Sequence, residues 1–222
     1  MRDIFIFFGP PGAGKGTLSA LASSRLGWSF FSTGDACRKH ISEGTKIGQS
    51  IDFAIKSGKL VSDDLIIQMV EHWLLNDAPK DSNLILDGCP RTLAQAEYLV
   101  NLIESKFPDC KLRVVELTSS DQVLVERILN RMVCSNKECQ AVYSKSAEST
   151  HSKVNGKCDK CGAILKRRSD DTEEAIKERL QTYAMHAKPV LDFLSKKGIR
   201  VDKIDAERQI EKVFKDLEKL AV

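Results

Sequence analysis

The sequence predicts an α/β protein built on a doubly wound parallel sheet. Short apolar runs alternate with amphipathic helical patterns along the chain, which favours strands connected by helices. The first apolar run, residues 4–8, leads into a glycine-rich turn and then into apolar residues at helical spacing. A later run, residues 84–86, ends on Asp87. Because ligands of such sheets bind beyond the carboxyl ends of the strands, an acid at that place predicts a functional crevice.

The glycine-rich turn is the most informative motif. Residues 9–17, Gly-Pro-Pro-Gly-Ala-Gly-Lys-Gly-Thr, match the pattern G-x-x-x-x-G-K-[ST]. Inward-pointing backbone N–H groups and the positive end of the following helix favour a polyphosphate there. Lys15 is expected to reach the β- and γ-phosphates, and Thr17 to ligate Mg²⁺. The alternative is a purely structural turn, which is disfavoured because the strand, the spacing and Lys-Gly-Thr all agree.

The remaining elements follow from the same patterns. Further strands are predicted at residues 28–31, 84–86, 112–117 and 199–201. Helices are predicted to start at residue 62, to cover residues 92–105 and 120–131, to resume at residue 170, and to close the chain from residue 210. Between residues 33 and 61, four glycines punctuate two short helical patterns, which predicts a small helical lobe hinged on the sheet.

Three polar residues are expected beside the crevice. Asp87, at the carboxyl end of a strand, could hold the water ligands of Mg²⁺. A turn residue before glycine is the alternative, since Asp-Gly is a common turn pair. Arg91 lies a few residues beyond the same strand, and Arg127 lies late in the helix predicted at residues 120–131.

Composition and charge narrow the class of protein. A content of 42% hydrophobic and 29% charged residues is typical of a soluble globular protein. The N-terminal apolar run of five residues is too short for a signal peptide or a membrane span, so a cytoplasmic location is expected. The net charge is +3, yet residues 131–168 carry an excess of six positive charges. This basic segment predicts an anionic partner, either nucleotide phosphates or nucleic acid.

Four of the seven cysteines form two local pairs. Cys134 and Cys139 are separated by four residues, and Cys158 and Cys161 by two. Such pairs, 18 residues apart, predict a structural zinc site closed by four thiolates. Scattered small hydrophobic cysteines are the alternative.

The glycine-rich turn at residues 9–17 is called the phosphate loop below. The chain resembles the adenylate kinases over its whole length, through the phosphate loop, Thr33-Gly34-Asp35, Arg38, the run Asp-Gly-Cys-Pro-Arg at 87–91 and a late arginine-rich insert. It is most similar to the long-lid, zinc-containing type. The resemblance implies five parallel strands of the P-loop type, a monomer, and the partners ATP, AMP and ADP. It divides the chain into a core (1–31, 62–130 and 169–222), a helical lobe that binds AMP (32–61) and a lid with the zinc site (131–168).

The resemblance also implies a role for particular positions. The ATP site would comprise Gly12, Ala13, Gly14, Lys15, Gly16, Thr17, Arg127, Arg131, Val142, Tyr143 and Gln209. The AMP site would comprise Thr33, Arg38, Lys59, Leu60, Val61, Gly88, Cys89, Pro90, Arg91, Gln95, Arg168 and Arg179. The transferred phosphoryl group would be clamped by Lys15, Arg38, Arg91, Arg131, Arg168 and Arg179. Magnesium would be held through Thr17 and Asp87, and zinc by Cys134, Cys139, Cys158 and Cys161.

Chemistry makes an arginine clamp reasonable, because phosphoryl transfer needs alignment and neutralisation of spread negative charge. A guanidinium bridges phosphate oxygens with two bonds at once. The acceptor phosphate is largely ionised near neutral pH, since its second pKa is about 6, and no general base is assigned. The alternative for each arginine is a solvated surface side chain. Gln95 could instead complete a capping box with Thr92.

The chain departs from the family pattern at three places. The first cysteine pair encloses four residues where two are usual, which puts the ligand geometry in doubt. Cys89 replaces the usual phenylalanine and is either an inert packed thiol or an oxidisable one. Met132 stands where a second arginine is common. Two other functions are considered: a UMP/CMP-type nucleoside monophosphate kinase, and a P-loop regulator that binds nucleic acid through a basic zinc ribbon, for which the lid offers few aromatic side chains.

Overall fold

The computed structural model describes residues 2–145 and 150–220. The described strands are β1 Asp3–Phe8, β2 Ser29–Ser32, β3 Leu84–Asp87, β4 Lys111–Thr118, β5 Arg131–Cys134, β6 Val142–Ser144, β7 Leu165–Lys166 and β8 Arg200–Asp205. The described α-helices are α1 Lys15–Leu26, α2 Thr33–Ser42, α3 Lys46–Ser57, α4 Asp63–His72, α5 Leu93–Lys106, α6 Asp121–Leu129, α7 Glu173–Lys196 and α8 Ile210–Leu220.

The central sheet confirms the predicted fold class. Five parallel strands lie in the order β2-β3-β1-β4-β8. Side chains of β1 alternate between the two faces, and each face has its own core. Ile4 and Ile6 pack in the cluster that contains side chains of α4, α5 and α7. Phe5 and Phe7 pack in the cluster that contains side chains of α1, α6 and α8.

The register of the strands brings the functional loops to one edge. Asp87, the last residue of β3, lies opposite Phe7 of β1 and Ser32 of β2. The phosphate loop therefore leaves β1 directly beside the acidic end of β3. Parallel strands that end together are the reason why residues distant in sequence share one crevice.

Two short helices, α2 and α3, lie in the segment predicted to form a helical lobe. Helix α2 begins at the side chain of Ser32, which accepts a hydrogen bond from the Asp35 N–H. Helix α3 begins in the same way at Thr45, whose hydroxyl accepts from the Gly48 N–H. These caps satisfy N–H groups that the first turn leaves unpaired.

The lid contains a second, three-stranded antiparallel sheet in the order β6-β5-β7. Its core is small: the buried members are Cys134, Tyr143, Cys158 and Leu165. So few buried apolar side chains contribute little to the stability of the lid. Metal binding by the cysteines could supply the additional stability.

Several element bounds differ from those expected. Strand β8 extends to Asp205, well past residue 201, because its backbone pairs with β4 although its later side chains are polar. Helix α6 ends at Leu129, since Arg131 starts β5. Helix α7 begins at Glu173, not at residue 170. In the part of the chain that the structure describes, no helix combines the length and apolar character needed to cross a lipid bilayer.

Candidate active site

A cavity of about 990 Å³ lies at the carboxyl ends of the central strands, between the core, the helical lobe and the lid. The cavity is lined by these residues predicted to bind nucleotide: Gly12, Ala13, Gly14, Lys15, Gly16, Thr17, Arg38, Leu60, Asp87, Gly88, Pro90, Arg91, Arg127, Arg131, Val142, Tyr143, Arg168, Arg179 and Gln209. Five others predicted for the AMP site lie outside its lining: Thr33, Lys59, Val61, Cys89 and Gln95.

The phosphate loop adopts a backbone that requires glycine. Gly12 has φ +87°, and a Cβ there would lie 2.8 Å from the Leu124 carbonyl oxygen. A side chain at this position would therefore be strained and would push the loop away from α6. The Lys15 ammonium folds back and donates to the carbonyls of Gly9 (2.7 Å) and Pro10 (2.9 Å). Burial lowers the pKa of Lys15 to about 8, although the nearby Asp87 carboxylate opposes this shift.

Asp87 and Thr17 could together hold a magnesium ion. Both line the cavity, and a Cβ on Gly16 would lie 3.4 Å from the Asp87 Oδ2 atom, so the carboxylate lies against the loop. Burial raises the pKa of Asp87, and the charge of Lys15 counteracts that rise. A carboxylate and a hydroxyl oxygen are the hard ligands that Mg²⁺ prefers, with the remaining positions left to water and phosphate. The donor set fits the ion.

All five arginines predicted for the clamp line this cavity, and carboxylates hold four of them. Arg131 donates through Nε (2.9 Å) and through Nη2 to the two oxygens of Asp171. Arg179 Nη1 lies 3.3 Å from an oxygen of Asp170 and 3.5 Å from one of Asp171. The Asp171 side chain is fully buried, so its charge is balanced by these guanidinium groups alone among its described partners.

The other pair of arginines meets at the helical lobe. Arg38 forms an ion pair with Asp35 inside α2, and Arg168 Nη2 lies 3.9 Å from the same carboxylate. Arg168 belongs to the end of the lid, so this contact joins the lid to the helical lobe. The Nε atom of Arg38 is buried and has no partner among the described residues. A phosphate oxygen would satisfy that donor, because guanidinium groups bind phosphate through adjacent N–H groups.

Sequence reasoning did not assign Asp170 and Asp171, and it gave Asp35 no role. The two acids precede α7, which Thr172 caps by accepting from the Ala175 N–H. In the sequence the two acids stand where a helix is predicted to resume, and acids are common in the first turn of a helix. The available signal was a pair of acids immediately after the predicted clamp residue Arg168. Their burial depends on the folded chain.

The cavity carries more positive than negative charge. Burial and the charges of neighbouring arginines lower the pKa of Arg168 to about 9, and burial also lowers that of Arg179 to about 10. Both groups remain cationic at neutral pH. Burial by itself would raise the pKa of Asp170, but Arg179 and the other arginines outweigh it and the net shift is downward. A polyanion in the cavity would relieve the repulsion among these cations.

The residues around Gly88 form a connected network. Gly88 has φ +86°, and a Cβ there would lie 2.6 Å from the Thr33 hydroxyl. Gln95 is buried. Its side-chain oxygen Oε1 accepts from the backbone N–H of Arg91 (2.8 Å), and its side-chain nitrogen Nε2 donates to the Asp63 carboxylate (2.7 Å). The Gln95 N–H in turn donates to the Thr92 hydroxyl (3.2 Å). The capping interaction considered for Thr92 and Gln95 is therefore formed in part.

Cys89 is a packed thiol in this structure. Its side chain is 3% exposed, and burial raises its pKa to about 12. Because the thiolate is the reactive form, such a group is inert at neutral pH. This agrees with the first of the two alternatives considered for Cys89.

On the opposite side of the cavity, Arg127 donates to the Ala206 carbonyl (2.7 Å) and so ties α6 to the segment after β8. Gln209 and Val142 also line the cavity. The Tyr143 hydroxyl contacts Cys158 Sγ (3.4 Å) and accepts from the Asp159 N–H (2.7 Å). This tyrosine therefore links the nucleotide cavity to the cysteine cluster.

The four paired cysteines come together in the lid. The Sγ atoms of Cys134, Cys139, Cys158 and Cys161 all lie within 4.8 Å of one another. Four sulfur ligands about 2.3 Å from a tetrahedral zinc ion require sulfur separations of under 4 Å, and two of the pairs are 3.4 and 3.6 Å apart. The longer first loop therefore does not prevent a four-thiolate cluster, and the group fits zinc.

Comparisons with known proteins agree with this geometry. The profile of the family described as adenylate kinase matches residues 7–199. An adenylate kinase of Archaeoglobus fulgidus is 39% identical over 215 residues, which cover 96% of this chain and 95% of that protein. An adenylate kinase of Chloroherpeton thalassium is 38% identical over 219 residues, covering 97% and 96%, and one of Borrelia turicatae is 36% identical over 212 residues, covering 96% and 95%. The chain therefore belongs to the adenylate kinase family.

Proposed function

We propose that the chain transfers the γ-phosphoryl group of Mg-ATP to AMP, reversibly and in line, giving two molecules of ADP. The observation that carries this proposal is the cluster of Arg38, Arg91, Arg131, Arg168 and Arg179 on one cavity with the phosphate loop. A nucleotide-binding protein that only hydrolyses or senses ATP needs no second set of phosphate ligands. Five guanidinium groups beyond the loop can hold a second phosphorylated substrate.

In this proposal residues 12–17 of the phosphate loop hold the β- and γ-phosphates of ATP. Lys15 leaves the carbonyls of Gly9 and Pro10 and binds phosphate oxygens, and Thr17 and Asp87 would hold a magnesium ion. Such an ion would neutralise part of the phosphate charge. Arg127, Val142, Tyr143 and Gln209 surround the adenine of ATP.

The acceptor nucleotide occupies the side of the helical lobe. Its phosphate is bound by the clamp that lines this side, and its base lies towards Leu60 and Gly88. Thr33, Val61, Cys89 and Gln95, which are buried outside the cavity lining, would support these residues, whereas Lys59 is exposed. Gln95 is hydrogen-bonded to Arg91 and Asp63, which favours a positioning role for it.

Catalysis is attributed to charge and alignment. The acceptor phosphate is a sufficient nucleophile at neutral pH because it is largely ionised, so no side chain has to remove a proton. Guanidinium groups fixed before the reaction stabilise the charge on the transferred group without reorganising. Arg131 and Arg168 lie at the two ends of the lid, so closure of the lid over the cavity brings them to the phosphates and excludes water.

The domain division proposed is a core of residues 1–31, 62–130 and 169–222, a helical lobe at 32–61 and a lid at 131–168. The cysteine cluster would hold a structural zinc ion that stabilises the lid and does not contact the substrate. A monomer would suffice, since one chain supplies every residue assigned above. Sedimentation at micromolar concentration tests the monomer, and metal analysis of the purified protein tests the zinc.

The decisive experiment measures ADP formation from Mg-ATP with AMP, UMP, CMP or GMP as acceptor. AMP is expected to be the best substrate by at least an order of magnitude in kcat/KM. Equal rates with UMP or CMP would replace the adenine assignment by the alternative nucleoside monophosphate kinase. No reaction with any acceptor, together with salt-sensitive binding of RNA or DNA, would favour the nucleic-acid-binding alternative.

A further inference from the structure

One lysine of the lid contacts the helical lobe. The Lys137 ammonium donates a hydrogen bond of 2.6 Å to the carbonyl oxygen of Ser42, the last residue of α2. These residues are 95 positions apart in the chain. The bond therefore joins the lid directly to the helical lobe.

The acceptor is a carbonyl that the helix cannot pair by itself. The last carbonyls of an α-helix have no partner within the helix and form its negative end. Here the N–H groups of residues 43, 44 and 45 bond the carbonyls of Lys39, Ile41 and His40. Among the hydrogen bonds of the described residues, Ser42 O receives its donor only from Lys137. A cation at this position is favoured both by the carbonyl and by the helix dipole.

The donor is presented by an ordered turn. Lys137 lies in the four-residue loop between Cys134 and Cys139, and Asn136 organises that loop. The Asn136 side chain accepts from the Glu138 N–H (3.0 Å), and its carbonyl accepts from the Cys139 N–H (3.1 Å). The Asn136 N–H in turn bonds the Sγ of Cys134. With the two-residue spacing usual in the family, this turn would be two residues shorter.

A second contact joins the lid to the helical lobe at the N-terminal end of α2. Arg168 at the end of the lid lies 3.9 Å from Asp35 at the start of α2. The lid thus meets both ends of one helix: a cation lies near the acid in its first turn, and another bonds its terminal carbonyl. Two contacts about one helix length apart restrict rotation of the lid more than either contact alone.

We propose that Lys137 is a positioning residue that holds the lid against the helical lobe, and that the longer first cysteine loop of this chain exists to present it. The inference rests on the proposed closure of the lid over two nucleotides, and it concerns a contact between two groups of the protein itself. An exposed charge-assisted hydrogen bond shifts an equilibrium by a few-fold. Lys137→Ala should therefore lower the ratio of closed to open molecules about three-fold.

The test measures the distance between lid and lobe in the nucleotide-free protein. Phe53 on α3 and Val154 in the lid are 74% and 58% exposed, so each can be replaced by a ketone-bearing residue and labelled with a nitroxide while every cysteine is kept. Pulsed electron spin resonance then gives the distance distribution. We expect Lys137→Ala to move population from the short to the long distance, and Lys137→Arg, which keeps the cation, to retain most of the short one.

Lys153→Ala is the matched control, because Lys153 is an exposed lysine of the same lid and its removal changes the charge equally. A shift of equal size in both alanine variants would assign the effect to net charge and overturn the proposal, as would an unchanged distribution in Lys137→Ala.

Zinc content and circular dichroism show whether the lid is folded; if Lys137→Ala lowers zinc content, Lys137→Gln replaces it. Steady-state kinetics add a second readout: the KM for AMP should rise about three-fold while kcat does not fall. Because the distance is measured without turnover, failure of the phosphotransfer proposal would leave this result interpretable.

Discussion

Replacing Asp171 by asparagine tests whether buried carboxylates hold the arginines of the cavity. The substitution keeps the size of the side chain and removes its charge. Arg131 then loses one of its two acceptors and faces an amide N–H group, while Arg179 loses an anion 3.5 Å away. The Asp171 side chain is fully buried and that of Arg131 is 14% exposed, so water cannot replace the missing charge.

The magnitude follows from this burial. Removing one member of a buried ion pair costs about 3 kcal/mol or more of the free energy of unfolding. For a chain of this size each kcal/mol lowers the melting temperature by about 2–4 °C, so Asp171→Asn should melt roughly 6–12 °C below the parent protein. Turnover should fall about 100-fold, the order expected when one fixed donor to a developing charge is misplaced.

Calorimetry and a coupled ADP assay measure the two effects. Asp192→Asn is the control, because it removes the same charge from the exposed ion pair with Lys188 on α7; it should change stability by less than about 0.5 kcal/mol. If Asp171→Asn melts within 2 °C of the parent, or turns over within two-fold of it, the carboxylate does not hold the arginines and their arrangement has another cause.

Three further predictions use the same assays. Arg91→Ala should lower kcat by orders of magnitude with an unchanged melting temperature; near-normal turnover would contradict the clamp. Removing metal with a chelator should increase amide exchange over residues 131–168 before the core is affected, whereas an unchanged exchange pattern would mean that the cysteines bind no metal. Because the pKa of free Lys15 is about 8, the protein must take up a proton to bind ATP above that pH, and the Kd for ATP should rise by up to tenfold per pH unit there. Lys15→Arg, which stays cationic, should remove this rise, and a flat profile in the parent protein would show that Lys15 binds in its neutral form.

The sequence was sufficient for the fold class and the phosphate loop because both depend on local patterns. The spacing of Lys15 and Thr17 in the motif, and the alternation of apolar runs with helices, need no knowledge of the rest of the molecule. Strand β8 shows where this reasoning ends. Arg200, Asp202 and Lys203 are polar, and only the backbone pairing with β4 makes this segment a strand.

The carboxylates of Asp170 and Asp171, which hold arginines of the cavity, could not be found in the same way. Asp63-Asp64 and Asp170-Asp171 are both pairs of acids near a helix start. In the first pair Asp63 is half-buried and Asp64 exposed, whereas both members of the second are buried. The difference lies in Arg131 and Arg179, which approach Asp171 from a strand 40 positions away and from the next helix. Such partners are fixed by tertiary structure.

The position of Lys15 has a consequence for how quickly the cavity can accept a nucleotide. A freely hydrated ammonium would have to shed its water shell at the moment of encounter. Here two carbonyl oxygens of the chain already take the place of part of that shell, so part of the dehydration took place when the polypeptide folded. An arriving triphosphate replaces these two carbonyl oxygens as the hydrogen-bond partners of the Lys15 ammonium. Less water therefore has to be removed from the ammonium at the moment of binding.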